Sequence, residues 1–359
     1  MSYVALETRF GMTWRVVGAN FDQMHMNTNV AWAADHPDVK VVGLCDEHPE
    51  TSTGSLEESA TDCEVPSGQQ YDDLEVCLRE VEPNIVIGGP MNSAHPAFVE
   101  RVLAHGIHVA IEKPFAQSLA DADRMLDADA ESAGRLAVNW PVAWSPVHNE
   151  LRELLATGTI GDVIEIQYYG GNAGAPPDDS WFYDPESGGG SLLDYLGYGA
   201  TFTTWFRDGE LPNTVSAHTH PPVGDSVDLQ SASVCRYETG LSTLQTSLRT
   251  STHPWEHDPI PAKGYDIVGT KGAITTRQHD VPIRVQTADV PDGYAVEPDP
   301  LEAPHTNLVQ YLIHCLENDE PFVGPTDPKL CRKAQRIIET AQQSAAAAGV
   351  ETELVGERR

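Results

Sequence analysis

The sequence predicts an α/β chain: a doubly wound parallel sheet at the N-terminus, then an α+β domain with a large open, mainly antiparallel sheet. Three observations carry this expectation. Between residues 14 and 139, short apolar runs alternate with helix-patterned segments, the mark of parallel βαβ units with right-handed crossovers. After Trp140-Pro141 the pattern changes to longer strands with poor helical spacing between them. The length, 359 residues, is enough for two cores. The two domains are expected over 13–139 and 140–350.

Residues 1–12 are expected to lack regular structure, with Met12 an alternative start. Trp14-Arg15-Val16-Val17-Gly18 reads as the first strand, followed by a helix over 24–36. Val39 to Asp46 is a second strand that ends in an acid. Leu74 to Val81 is helical, Asn84 to Pro90 is the third strand, and Ala94 to Ala104 is a helix closing near Gly106. In Gly106-Ile107-His108-Val109-Ala110-Ile111-Glu112-Lys113-Pro114-Phe115 the apolar run Ile107 to Ile111 reads as the next, buried strand. Pro114 ends it, because proline has no N–H for the sheet ladder. Leu119 to Ala133 is a helix and Arg135 to Asn139 another strand.

In the second domain Pro146 to Ala156 reads as a helix. Strands are expected over 162–169, 213–220, 227–236, 240–250, 264–269, 272–277 and 282–287, with hairpin joins at Glu238-Thr239-Gly240 and Thr270-Lys271-Gly272. The apolar residues after Gly188-Gly189-Gly190, as far as Trp205-Phe206, indicate a helix. Asn307 to Glu317 and Pro328 to Ala348 close the chain, the latter bounded by Asp327-Pro328 and Gly349.

Composition narrows the function. Acids outnumber bases 54 to 22, giving a formal charge of −32, and the acids are spread along the whole chain. Such a surface repels phosphate backbones and anionic lipid, so nucleic acid and membranes are not expected partners. Six cysteines are scattered with no Cys-x-x-Cys pair, so no metal site or redox motif is indicated. Scattered thiols suit a reducing cytoplasm. No apolar run approaches a membrane span, and no basic stretch followed by an apolar core suggests a secretory signal.

Candidate chemistry begins at the strand ends, because open parallel α/β sheets bind ligands at their carboxyl edge. Glu112 and Lys113 arrive there together. Lysine is scarce, with Lys40, Lys113, Lys263, Lys271, Lys329 and Lys333 the full set, so one placed beside a buried strand points to chemistry; a solvated lysine paired with Glu112 is the alternative. The first strand–helix turn is Gly18-Ala19-Asn20-Phe21-Asp22-Gln23. It keeps one glycine of the G-x-G-x-x-G pattern that lets backbone approach a pyrophosphate. Asn20 stands at the second glycine's place and tolerates left-handed backbone. Asp22 would repel a pyrophosphate unless it caps the helix. Asp46 can bind both hydroxyls of a ribose and repel a 2′-phosphate, which favours NAD over NADP; it is equally one more acid in an acid-rich chain. Pro90-Met91-Asn92 follows the third strand, with Asn92 able to cap the next helix and His95 in its first turn. Asp194 and Tyr198 are four apart and share one helical face. A phenol serves as proton donor or acceptor if a nearby ammonium lowers its pKa. The three glycines before them let backbone approach a ligand or another chain closely.

Glu112-Lys113-Pro114 after such a sheet, Pro90-Met91-Asn92 with His95, and Gly188-Gly189-Gly190 with Asp194 and Tyr198 together resemble the glucose–fructose oxidoreductase / inositol dehydrogenase family. Gly158-Thr159-Ile160-Gly161-Asp162 and Gly269-Thr270-Lys271-Gly272 also fit its turns, and the resemblance covers roughly 14–350. It implies a Rossmann domain, a C-terminal domain with a large open sheet, and hydride transfer between NAD(P) and a sugar, polyol or related carbinol. Many members carry histidine where this chain has Tyr198, and the tyrosine resembles branches in which it is the acid/base.

By that resemblance NAD lies over Gly18, Ala19, Asn20 and Phe21, with its adenosine ribose on Asp46. Nicotinamide sits near Pro90, Asn92, His95, Glu112 and Lys113. Tyr198 moves the hydroxyl proton, Lys113 lowers its pKa and stabilises the oxyanion, and Asp194 orients substrate or Lys113. Trp181, Trp144 and His253 are candidate sugar-facing walls. A cytoplasmic homodimer or homotetramer is implied. Two other readings stand beside it: a redox-neutral NAD-dependent lyase, epimerase or glycosidase, and a ligand sensor without catalysis.

Dispersed acids with little lysine fit a cytoplasm rich in KCl. Transfer from molar KCl to dilute buffer removes the screening of their mutual repulsion. The expected outcome is unfolding and loss of activity, followed by circular dichroism; full stability without salt refutes the halophilic reading.

Overall fold

The computed structural model describes residues 13–172, 180–221, 227–248, 263–277 and 280–357. His253 and residues 1–12 lie outside them. The chain divides into two compact units, Met1–Gly89 and Pro90–Arg359.

The first unit has the expected βαβ order. Strand β1 (Trp14–Phe21) is followed by α1 (Met26–Ala34), β2 (Val39–Cys45), α2 (Leu56–Asp62), β3 (Gln70–Tyr71), α3 (Leu74–Val81) and β4 (Ile85–Gly89). β1 pairs in parallel with both β2 and β4, and β2 with β3, giving the order β3-β2-β1-β4. β1 and β4 are buried almost throughout, as strands of a sheet covered on both faces must be. β1 runs three residues past the expected end at Gly18, through Asn20, whose φ is 55°. Gly18 is fixed by packing: a Cβ there would sit 2.6 Å from Val30 Cγ2 and 3.0 Å from Leu44 Cδ2. The glycine thus lets α1 lie close on β1.

The second unit opens with α4 (His95–Ala104), β5 (His108–Glu112), α5 (Leu119–Glu131), β6 (Leu136–Asn139) and α6 (Pro146–Ala156). β5 and β6 are parallel and in register, Ile111 beside Val138 and Glu112 beside Asn139. Then come β7 (Val163–Asn172), α7 (Ser191–Phe206), β8 (Thr214–His220), β9 (Gln230–Arg236), β10 (Leu241–Leu248), β11 (Gly264–Gly269), β12 (Gly272–Arg277), β13 (Asp280–Thr287) and β14 (Tyr294–Val296). Helices α8 (Leu308–Asn318) and α9 (Pro328–Ala346) and strand β15 (Thr352–Glu353) complete it.

These strands make one nine-stranded sheet, ordered β14-β13-β12-β11-β7-β10-β9-β8-β15. Both expected hairpins form, β9–β10 and β11–β12. One pairing departs from the antiparallel expectation: β7 and β10 run parallel, Glu165 beside Leu241 through Asn172 beside Leu248. One sheet face is covered by α7, which packs on β7 and β10 and against α9. α7 is apolar on nearly every side, with Leu192, Leu193, Leu196, Phe202 and Phe206 all buried, as a helix held between sheet and helix must be. Lys263, at the start of β11, is also buried and donates to the Gly171 carbonyl at 2.6 Å. All six cysteines are free thiols. Among the described residues no helix is long and apolar enough to cross a membrane.

Gly18→Ala is expected to push α1 off β1 and cost about 1–3 kcal/mol. A denaturant titration in molar KCl measures this, and Val30→Ala in the same chain should recover part of the loss.

Candidate active site

The strongest cluster of chemistry lies in the second unit, at the end of β5. Burial of Val109 to Ile111 fixes the strand, and the strand fixes the two residues after it. Lys113 is 5% exposed and Asp194 3%. The Lys113 ammonium donates to Asp194 Oδ1 at 2.7 Å. An unpaired charge at this depth would cost several kcal/mol, so each ion makes the other tolerable. The ammonium also stands over the Tyr198 ring, 5.6 Å from its centroid, within cation–π reach. The spacing of Asp194 and Tyr198 on α7 therefore gives both a meeting with one lysine.

Trp140 walls the phenol. Its ring meets Tyr198 edge-on at 5.1 Å, and its indole N–H is directed at Cys331 Sγ, 3.4 Å away. The thiol in turn donates to the Pro325 carbonyl at 3.0 Å. α7 comes this close because residue 197 is glycine, where a Cβ would lie 3.1 Å from Trp140 Cη2. Glu112 is 1% exposed. Its Oε1 accepts from Asn139 Nδ2 at 2.6 Å, and Asn139 Oδ1 accepts the Trp144 indole N–H at 2.9 Å.

The electrostatics correct one expectation. The Tyr198 pKa is driven well above the ordinary phenol value, first by burial and then by the carboxylates of Asp194 and Glu112. The net shift is upward despite the Lys113 ammonium 5.6 Å from the ring centroid. In the free chain Tyr198 is a protonated phenol across the neutral range.

Several predicted residues also make contacts within the chain. His95 is fully buried, with Nδ1 3.3 Å from the Phe115 carbonyl and Nε2 3.2 Å from the Pro90 carbonyl. Burial lowers its pKa, so the ring is neutral; it ties the loop after β4 to the loop after β5. Asn92 does not cap α4, whose first turn has no side-chain cap. Its amide donates instead to the Gly188 carbonyl at 2.8 Å. The glycine run approaches this chain's own backbone: a Cβ on Gly189 would sit 2.0 Å from the Phe182 carbonyl oxygen. Just beyond it, Asp228 accepts the Leu192 N–H at 2.8 Å and the Ser191 N–H through its carbonyl at 2.9 Å, capping α7 from outside the helix. Burial raises the Asp228 pKa to about 7. Trp144 is half-buried beside Tyr311, at 5.7 Å. Trp181 is buried with its ring against Phe182.

In the first unit lie the residues that the sequence assigns to a dinucleotide, Gly18, Ala19, Asn20, Phe21 and Asp46. Asn20 has the left-handed backbone that a glycine would supply, and its Oδ1 lies 3.4 Å from the Glu47 N–H. Phe21 is buried, and its carbonyl accepts the N–H groups of Thr53 and Gly54 at 3.0 and 2.8 Å. Asp22 neither caps α1 nor stands bare: its carboxylate accepts the Thr51 hydroxyl. Asp46 ends β2 with Oδ2 on the Ser52 hydroxyl at 2.7 Å and Oδ1 3.3 Å from the His48 N–H. α2 and α3 are capped by Ser55 and Asp73. α1 has neither a side-chain cap nor an acid in its first turn, so the positive end of its dipole is not neutralised locally. The uncapped first turn of α1 suits an anion, the nearby Asp22 carboxylate being engaged by the Thr51 hydroxyl, and a diol suits Asp46. These residues suit a dinucleotide.

Sequence reasoning missed Asn139, Trp140 and Asp228 as parts of the site. Asn139 carried a signal: it is a polar residue closing an apolar strand at the ligand-binding edge.

Known proteins agree with this layout. The sequence matches the model of the GFO/IDH/MocA oxidoreductase family, NAD-binding Rossmann fold, over residues 12–140, and that of the GFO/IDH/MocA C-terminal domain over 148–275. It is 23% identical over 227 residues to a 1,5-anhydro-D-fructose reductase of Ensifer adhaerens, covering 63% of this chain and 66% of the relative. Other curated relatives are matched over smaller shares of their length, 37% and 44% in two cases. In fold the chain is similar to an aldose-aldose oxidoreductase from Caulobacter crescentus complexed with glycerol, with TM-score 0.77, 20% identity, and 95% and 100% of the two chains covered. An oxidoreductase from Agrobacterium radiobacter in complex with NAD+, L-tartaric acid and magnesium gives TM-score 0.74 at 18% identity, covering 96% and 99%. At these identities the structures speak for the fold alone. The two matched family models span most of the sequence, and the chain belongs to the GFO/IDH/MocA oxidoreductase family.

Proposed function

We propose that the chain is an NAD-dependent oxidoreductase acting on the CH–OH group of a sugar, polyol or related carbinol. The observation that carries this reading is the buried Lys113–Asp194 ion pair with its ammonium over the Tyr198 ring. Three groups with a charge or a proton to move meet there, Lys113 and Asp194 buried and Tyr198 half-buried.

Bound NAD supplies the hydride acceptor, and its reduced form the donor. Gly18, Ala19, Asn20, Phe21 and Asp46 are assigned to its adenosine half, and Pro90, Asn92, Glu112 and Lys113 to its nicotinamide ribose, with His95 supporting them. The chain's own part is proton management. In carbonyl reduction Tyr198 Oη gives its proton to the nascent alkoxide; in oxidation it takes the hydroxyl proton. Lys113 stabilises the partial negative charge on that oxygen, and Asp194 holds the ammonium still. Trp140 keeps water off the phenol. Residues 13–139 are assigned to cofactor and 140–350 to substrate and assembly, a functional boundary distinct from the compact-unit boundary after Gly89. A cytoplasmic homodimer or homotetramer formed through the open sheet belongs to the same reading; β9 turns Gln230, Ala232, Val234 and Arg236 outward from it.

Lys113→Ala and Tyr198→Phe should lower kcat by about 10²–10⁴-fold, with the best substrate of an aldose and polyol panel in molar KCl. Removing one ion strands the other, at about 3–5 kcal/mol, so the neutral pair Lys113→Met with Asp194→Asn serves as the fold-preserving control. Wild-type rates in the single variants would overturn the assignment. Because the phenol pKa is raised, oxidation should quicken with pH through the neutral range while reduction stays level.

Asp46→Ser removes the carboxylate that would repel a 2′-phosphate. NADP binding relative to NAD should rise by about tenfold or more, equivalent to about 1.4 kcal/mol, read by fluorescence titration. An unchanged ratio would remove Asp46 from cofactor choice.

A further inference from the structure

We infer that Asn139 is a positioning residue of this site: one buried amide sets both the Glu112 carboxylate behind the reacting groups and the Trp144 indole of the aromatic wall. The inference rests on the reading that Lys113 and Tyr198 carry the reaction.

Asn139 closes β6 directly beside Glu112 of β5 and is 1% exposed. Its backbone carbonyl accepts the Lys113 N–H at 3.1 Å. Its side chain meets two partners of opposite and fixed polarity. Glu112 Oε1 takes the Nδ2–H at 2.6 Å. The Trp144 indole only donates, and gives its N–H to Oδ1 at 2.9 Å. Turning the amide over would set oxygen against carboxylate and N–H against N–H. The polarity of both partners therefore fixes the amide orientation, and the amide in turn fixes both partners.

No isosteric residue can replace it. Aspartate keeps the acceptor for Trp144 and loses the donor to Glu112; leucine keeps the bulk and loses both. What Asn139 controls is the place of a charge. The Glu112 carboxylate acts on Tyr198, and on His95 from α4. The other charged or titratable groups that act on these two are Lys113 just past β5, Asp194 and Tyr195 on α7, and Tyr168 on β7. On the far side, the Trp144 ring lies 5.7 Å from Tyr311, whose ring is 5.4 Å from His305. A shift of the amide would thus move the Glu112 side chain near the proton donor and the Trp144 indole in one step.

The test uses the full chain in molar KCl. Indole ¹⁵N-labelled Trp144, assigned through Trp144→Phe, reports the hydrogen bond; steady-state kinetics report the reaction. Asn139→Leu should move the Trp144 N–H resonance and lower kcat by about tenfold or more, with NAD affinity within about threefold. Asn139→Asp places two carboxylates in contact, which must share a proton. Its Trp144 resonance and its kcat should both acquire a titration in the neutral range that the wild type lacks. Trp144→Phe should raise KM and leave the pH profile as it was. A wild-type pH profile and kcat in Asn139→Asp, with Lys113→Ala and Tyr198→Phe inactive, would overturn the positioning role alone. Full activity in the Lys113 and Tyr198 variants would overturn the site reading first. If Asn139→Leu does not fold, Asn139→Asp, which exchanges one donor group for an oxygen, still decides the matter.

Discussion

A buried ion pair constrains everything around it. Lys113 and Asp194 come from segments 81 positions apart, and each tolerates burial because the other is present. The strand that carries Lys113 must end where it does, and α7 must lie where Asp194 can reach. Pro114 secures the first condition by stopping the strand. The glycine at 197 and the Asp228 cap secure the second, letting the helix approach Trp140 and pinning its first turn. The phenol of Tyr198 is then placed by helical periodicity, one turn beyond the carboxylate. A site of this kind is assembled from a few strict distances, with apolar residues such as Leu192, Leu196 and Phe202 supplying the stability that charged groups do not.

The fold was legible wherever the signals are local. Asp73 before Leu74 and Pro146 at a first helical position mark helix starts that the structure reproduces. Apolar runs located β2, β4, β5 and β6 to within a residue or two. Short or weakly apolar elements were not legible. α2, Leu56–Asp62, has one large apolar residue among acids and hydroxyls and is held mainly by its Ser55 cap. The parallel pairing of β7 with β10 is a long-range choice that no local pattern encodes.

The site divides the same way. Lys113, Asp194 and Tyr198 were visible because residue type, spacing and strand-end position all point to chemistry. Their mutual charge was not. The rise in the Tyr198 pKa follows from its being enclosed with Asp194 and Glu112, which only three dimensions reveal. His95 and Asn92 look like ligand-facing residues in the sequence, yet both spend polar atoms on backbone carbonyls. Polar residues at a ligand-binding edge have two employers, the ligand and the loops that shape its berth, and sequence does not say which one holds them.

Lysine usage carries a wider consequence. Of six lysines, Lys113 and Lys263 are enclosed and the other four lie on a surface crowded with acids. Most of the net charge therefore lies on the skin of the molecule, where ions screen it, while the Lys113–Asp194 contact lies inside, where they do not reach. Salt screens the outer charges and has little purchase on the contact between Lys113 and Asp194. Outer charge and inner chemistry are thus physically separable: surface acids can be exchanged without touching the enclosed pair.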